Sequence, residues 1–248
     1  MTSDPLAPLV ELPGVEAGVA EARAAVDSLI AHRVLRRRSA DVSAESSLRG
    51  AWVSAVLAGS TATQAQVRSG EATGDPIVQG ALRVQAAIPT LTDTWTRAPR
   101  QALARLHALA AADLVEETES LGRPSAAPGV AQRLDALAAV LSATSAPAVV
   151  VAAIVHGELL SLDAFPPASG VVARAAVRLT LIERGLDLKS LVVIEAGHRD
   201  LGEDYPAALE AYRGGDPDGV AVWLRHCAAA VVAGARESLA ICEAVQRG

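Results

Sequence analysis

Two apolar runs separated by one break constrain this chain most. Residues 148–162 are largely aliphatic and read as a helix. Pro166-Pro167 cannot continue it, because proline lacks an N–H and its ring clashes with the preceding turn. A second apolar run opens at Ser169-Gly170 and continues to 184. The whole stretch reads His156-Gly-Glu158-Leu-Leu-Ser-Leu-Asp163-Ala-Phe165-Pro-Pro167-Ala-Ser169-Gly170-Val171-Val-Ala-Arg174. The start of the second helix leaves N–H groups unpaired and carries a partial positive charge, so it has the layout of an anion-binding helix start. Ser169 is the expected N-cap and Gly185 the expected stop.

Hydrophobic residues make up 51% of the 248 and aromatics 2%, so the core must be built from Ala, Val and Leu. Small side chains suit closely packed helices better than an aromatic-rich sandwich. The expected class is all-α. The net charge of −6 argues against nonspecific binding to nucleic-acid phosphates. No run is long and apolar enough for a bilayer, and Met-Thr-Ser-Asp lacks the features of a signal peptide, so neither a membrane nor a nucleic acid is an expected partner. Cys227 and Cys242 are too few for a disulfide framework and fit a reducing, cytoplasmic setting.

There is one lysine, Lys189, and no asparagine. A phosphate-binding P-loop needs a Gly-Lys pair, which is missing, and a Schiff base could form only at Lys189. No Gly-x-Gly-x-x-Gly follows a strand, so a dinucleotide-binding domain has no support.

Residues 1–14 read as an irregular arm. Helices are expected over 15–38, 43–58 (with Ser43 as N-cap), 63–69, 77–88, 98–117, 130–145, 148–162, 169–184, 205–213 and 218–245. Residues 119–128 read as a loop, and 191–194 as a short extended segment. His107, Trp52 and Trp223 fall on apolar helical faces and read as core. His198-Arg199-Asp200 falls in a loop, with no histidine pair at i, i+4 to make a metal site.

Three segments together resemble the Fic domain family, whose motif is His-x-Phe-x-(Asp/Glu)-Gly-Asn-Gly-Arg-x-x-Arg. Phe165, Gly170 and Arg174 match it. On that alignment the catalytic His falls on Asp163, the metal-binding carboxylate on Pro167 and the first Gly on Ala168. The Asn falls on Ser169 and the first Arg on Val171. His156 matches a His often found seven residues before the catalytic position. The second segment holds Ser54, Ala58 and Gly59, and resembles the family's inhibitory Ser/Thr-x-x-x-Glu-Gly/Asn helix with Ala in place of Glu. The third is Tyr205-x-x-Ala-Leu-x-x-Tyr212-x-x-Gly-Asp216, followed by a helix containing Trp223-Leu-Arg-His226. The resemblance implies an N-terminal arm and helix over 1–42. A Fic-like helical domain follows over 43–248, with an inhibitory-helix-like segment at 50–62 and a short β-hairpin flap.

In the family the loop-to-helix junction binds ATP with Mg²⁺, the His deprotonates a protein hydroxyl, and AMP is transferred to it. The resemblance therefore implies a nucleotide or phosphate site at Ser169, Gly170 and Arg174, supported by His156 and Phe165. No certain cofactor follows, and no metal ligand is assigned. A carboxylate at Asp163 is a weaker base than imidazole near neutral pH. Pro167 cannot bind Mg²⁺, leaving Glu158 as a substitute. Val171 removes a bidentate phosphate clamp. The implied protein is a degenerate Fic domain without ordinary AMP transfer, binding a nucleotide, a phosphate ligand or a protein partner. Two alternatives stay open: an active nucleotidyl- or phospho-group transferase using Asp163, and a helical interaction module with no ligand. Pairing into a homo-oligomer is compatible with either.

Overall fold

The computed structural model describes residues 4–247. Their α-helices, in chain order, are α1 Ala7–Val10, α2 Val15–Ile30, α3 Leu35–Leu57, α4 Gln64–Ser69, α5 Pro76–Arg97 and α6 Pro99–Ala110. After a loop come α7 Val130–Ala143, α8 Ala148–Ser161, α9 Ser169–Glu183, α10 Ile194–Asp200, α11 Asp204–Gly214 and α12 Pro217–Arg247. The fold is all-α. No strand forms among the described residues, so the β-hairpin flap implied by the resemblance has no counterpart there.

The centre is the α8–α9 hairpin predicted on either side of the proline break. Every residue from Val149 to Gly157 and from Val171 to Leu181 is buried. A helix apolar on all sides is stable only when surrounded. Here α8 packs on α9; α3, α5 and α6 cover α9; and the long α12 lies across α8 while also holding α2, α10 and α11. The packed side chains are mostly Ala, Val and Leu, as the composition requires.

Several expected boundaries moved, each for a physical reason. The helix expected over 15–38 breaks after Ile30, and α3 begins at Leu35 with a kink at Arg38. Consequently α3 runs unbroken through residues 42 and 43. Ser43 lies inside it and donates to the Lys189 carbonyl, 2.9 Å away, instead of capping a helix. The helix expected over 77–88 runs on to Arg97: Pro89 inside it is exposed, while Leu91 and Trp95 beyond it are buried and carry the helix on. Asp75 caps this helix through Ile77 N–H and Val78 N–H. Conversely, α6 stops at Ala110, short of Glu116 and Glu117; acids at a helix C-terminus oppose its dipole. Residues 191–193 lie outside any helix or strand, with Val193 at φ −86° and ψ 72°, and His198 to Asp200 are helical, not loop. The N-terminal arm is pinned by the Asp4 carboxylate, which accepts from Thr144 and Ser145, and by buried Leu6.

Helices approach most closely where glycine removes a side chain. A Cβ on Gly197 of α10 would lie 1.9 Å from the Ala230 carbonyl oxygen of α12. Gly197→Ala is therefore expected to cost roughly 1–3 kcal/mol through forced separation of the two helices. Gly74→Ala, where a Cβ meets nothing within 4 Å, should stay within about 0.5 kcal/mol of the parent. Urea unfolding of both variants checks this, and equal stabilities would contradict it.

Candidate functional site

Arg174 is the junction of the site. It projects from the second turn of α9 and is only 3% exposed. Its Nε donates to the Ser54 hydroxyl at 3.0 Å and its Nη2 to the Ser54 carbonyl at 2.8 Å. Ser54 sits in the last turn of α3, where backbone carbonyls lack helical partners and the dipole is negative. The guanidinium thus terminates α3, and a buried cation gains acceptors in place of water. No carboxylate pairs with it among the described residues. Ala58, which the resemblance aligns with an inhibitory Glu, is exposed, as is Gly59, whose φ of 102° turns the chain after the helix.

The same guanidinium lies against the start of α9. A Cβ on Gly170 would be 3.1 Å from Arg174 Nη1, so glycine is what lets the side chain fold back over its own helix. Ser169 is buried but does not cap that helix. Its hydroxyl accepts from the Phe165 N–H at 2.9 Å and clamps the preceding loop, while Ala168 occupies the cap position. The N-cap expectation for Ser169 is corrected: the Ser169 oxygen is engaged by the loop before it can reach the first turn.

That loop is held from below by His107. Its Nδ1 accepts from Gly122 N–H at 3.1 Å, which leaves Nε2–H to donate to the Pro166 carbonyl at 3.1 Å. Burial lowers its pKa, in keeping with a neutral ring. Phe165 packs on His107 with ring centroids 5.4 Å apart. Pattern reasoning placed His107 in the core. Its polar role depends on residues 15 and 59 positions away and left no sequence signal. Asp163 lies outside these contacts, exposed and with φ of 42°. Both Glu158 oxygens are occupied, Oε2 by Arg133 Nε at 3.0 Å and Oε1 by the Tyr212 hydroxyl at 2.7 Å. Glu158 therefore does not pair with Arg174. Among the described residues, no group of three or more His, Cys, Asp or Glu side chains is arranged to hold a metal ion.

Behind Arg174 lies a cluster that sequence reading did not assemble. Three of the five histidines, His156, His198 and His226, gather there with Tyr205 and Trp223. His156 Nε2 and the Tyr205 hydroxyl are 2.8 Å apart, and His198 Nδ1 lies 3.0 Å from His226 Nε2. The His198 and Tyr205 rings stack at 4.3 Å. Trp223 anchors the group by donating to the Ala153 carbonyl at 2.8 Å. Desolvation pushes the pKa of His156 and His198 well below the usual imidazole value, aided by the neighbouring imidazoles and the charge of Arg174, beside which a second positive charge is disfavoured. It lowers His226 to about 4 and raises Tyr205 to about 12, against the opposing pull of Arg174. The rings are neutral in the fold.

One turn further along α9 a second arginine is buried. Arg178 Nε and Nη2 grip Glu195 of α10 at 2.8 and 2.7 Å, and Nη1 donates to the Ser190 hydroxyl at 3.0 Å. Gln85 of α5 donates to the same carboxylate at 2.7 Å. Gly50 on α3 makes the room: a Cβ there would lie 2.5 Å from Arg178 Nη2. So α9 places two guanidiniums against α3, Arg174 at Ser54 and Arg178 at Gly50.

Two outcomes follow. Glu195→Ala strands a buried cation and should cost about 3–5 kcal/mol, read by chemical unfolding. For the imidazoles, the folded pKa lies below the unfolded value of about 6.5. The unfolded chain therefore binds protons first as the pH falls. Their contribution is complete above about 6.5 and is lost progressively below it. For His226 the loss extends down to about 4. His226→Gln should flatten the fall in melting temperature across this window; an unchanged slope would contradict it.

No protein-family model matches the chain, and a search of curated proteins finds no match. Among solved structures, the chain is similar to the crystal structure of a Fic family protein from Desulfovibrio desulfuricans G20. The TM-score is 0.75 at 21% identity, over 92% of this chain and 74% of that one. The three segments that suggested the resemblance meet at Arg174, where α3 supplies Ser54, α9 the arginine, and α11 the Tyr205 ring beside it. At this level of identity the likeness establishes the fold, and the chain has the fold of a Fic family protein.

Proposed function

We propose that this chain is a degenerate Fic-fold protein that does not carry out ordinary AMP transfer and acts by binding a partner protein. The observation that carries the reading is the state of Arg174. The family resemblance assigns this side chain to phosphate, yet it is buried and spent on the Ser54 hydroxyl and carbonyl. Two of its three guanidinium nitrogens are thus committed to the end of α3. Val171 stands where a second phosphate clamp belongs, and Pro167 where a Mg²⁺ ligand belongs. Asp163 is exposed with no imidazole beside it, and Glu158 is held by Arg133 and Tyr212.

In the family a glutamate restrains the equivalent arginine. Here the end of α3 restrains it without any carboxylate, which suits a protein in which the contact is structural and no longer a brake. The free, buried Cys227 and Cys242 fit a reducing compartment, and a cytoplasmic location is part of this reading. No described helix is long and apolar enough to cross a membrane.

Calorimetric titration with ATP, with and without Mg²⁺, tests the reading on the intact chain and on Arg174→Ala and Ser54→Ala. The expected result is no binding stronger than about 1 mM for the intact chain, and no transfer of labelled AMP to cell-extract proteins. ATP binding that disappears in Arg174→Ala, or labelled transfer that requires Asp163, would overturn it.

A further inference from the structure

Apolar side chains are rarely left in water in this fold. The exposed large ones are Ile30 at 48%, Leu188 at 72% and Val222 at 37%. Two of these three, Ile30 and Leu188, line the same groove. It lies between the end of α2, the start of α3 and the loop joining α9 to α10, and has a volume of about 340 Å³. Leu35, Leu186 and Leu191 complete its apolar wall. The loop is firmly held: the buried Asp187 carboxylate accepts from Leu191 N–H at 2.9 Å and Val192 N–H at 2.8 Å, and Ser190 is bonded to Arg178. Leu188 is therefore presented by a fixed backbone.

The rim is basic in a chain whose net charge is −6. Arg36 and Lys189 line the groove, and Arg33, Arg37 and Arg38 are exposed on the same α2–α3 corner. Of these five cations, Arg38 has a carboxylate partner, Asp41, among the described residues, and Arg33 bonds only to the Gln246 amide oxygen. Asp187 faces inward to its N–H partners, and among the described residues no carboxylate forms an ion pair with Arg36 or Lys189, the two cations that line the groove. A sizeable apolar recess edged by uncompensated cations selects its occupant by shape and charge together.

We propose that this groove docks an acidic amphipathic segment of another protein, an apolar anchor entering between Ile30 and Leu188 while its carboxylates pair with Arg36 and Lys189. A concave recess favours an inserted side chain over a flat bilayer, and its apolar walls offer nothing to a nucleic-acid phosphate. The surface is separate from the α9 start, so the proposal stands or falls independently of what Arg174 does.

Fluorescence anisotropy on the full chain provides the test, with three short helical peptides as probes. One has leucine on one face and glutamate on the other; the second replaces glutamate with lysine; the third replaces leucine with serine. The acidic leucine peptide should bind at least about tenfold tighter than either other. Leu188→Ser and Lys189→Glu should each weaken it about tenfold or more, and Lys189→Glu with Arg36→Glu should shift preference toward the lysine peptide. These side chains are exposed, so unchanged thermal unfolding would confirm intact variants. Absence of binding, insensitivity to all three substitutions, or equal binding of the lysine peptide would overturn the proposal. So would capture by anionic phosphatidylglycerol vesicles in preference to the peptide, or self-association lost in Leu188→Ser.

Discussion

Everything at the centre of this protein depends on where two buried guanidiniums find their acceptors. Arg174 and Arg178 stand one turn apart on α9, a helix surrounded on all sides, and both face α3. Burying a cation is costly unless its donors are satisfied. Arg178 is satisfied by a bidentate carboxylate, Glu195, helped by Gln85 and Ser190. Arg174 gives its Nε and Nη2 to a helix end, with no carboxylate paired to it among the described residues. This difference sets what each can do. A carboxylate-locked arginine is held by a full opposite charge, while Arg174 is held by a hydroxyl and a carbonyl, neutral acceptors that leave its charge unpaired.

The imidazole cluster extends the same logic. His156, His198 and His226 are kept neutral by burial, and their hydrogen bonds run to each other and to Tyr205. With Arg174 adjacent, protonating any of them would place like charges together in a poorly hydrated space. The cluster therefore supports the arginine only while it is uncharged. It also gathers Tyr205 and Trp223, two of the chain's few aromatic residues, into one region of an otherwise aliphatic core.

Much of the architecture was legible in the residues. The all-α class followed from an Ala, Val and Leu core. The α8–α9 hairpin followed from two apolar runs and a proline pair, and the ends of α9 lay within a residue of expectation. Where boundaries moved, a contact or continuation elsewhere in the fold outweighed the local rule. Pro89 did not stop α5 because Leu91 and Trp95 had a core to enter. Ser43 did not start a helix because α3 already ran through it. Ser169 did not cap α9 because its hydroxyl was taken by the Phe165 N–H.

The sequence by itself determined the helical class and the position of the central hairpin. Those are properties of side-chain type and short-range periodicity, which a linear chain displays directly. Only the tertiary structure decided that Arg174 meets Ser54 120 residues away, that Arg178 fits beside Gly50, and that three separated histidines share one site. It also decided that Ile30 and Leu188 flank one basic groove. Such pairings are set by which buried polar group reaches which acceptor once the helices pack, and spacing along the chain carries no trace of that outcome.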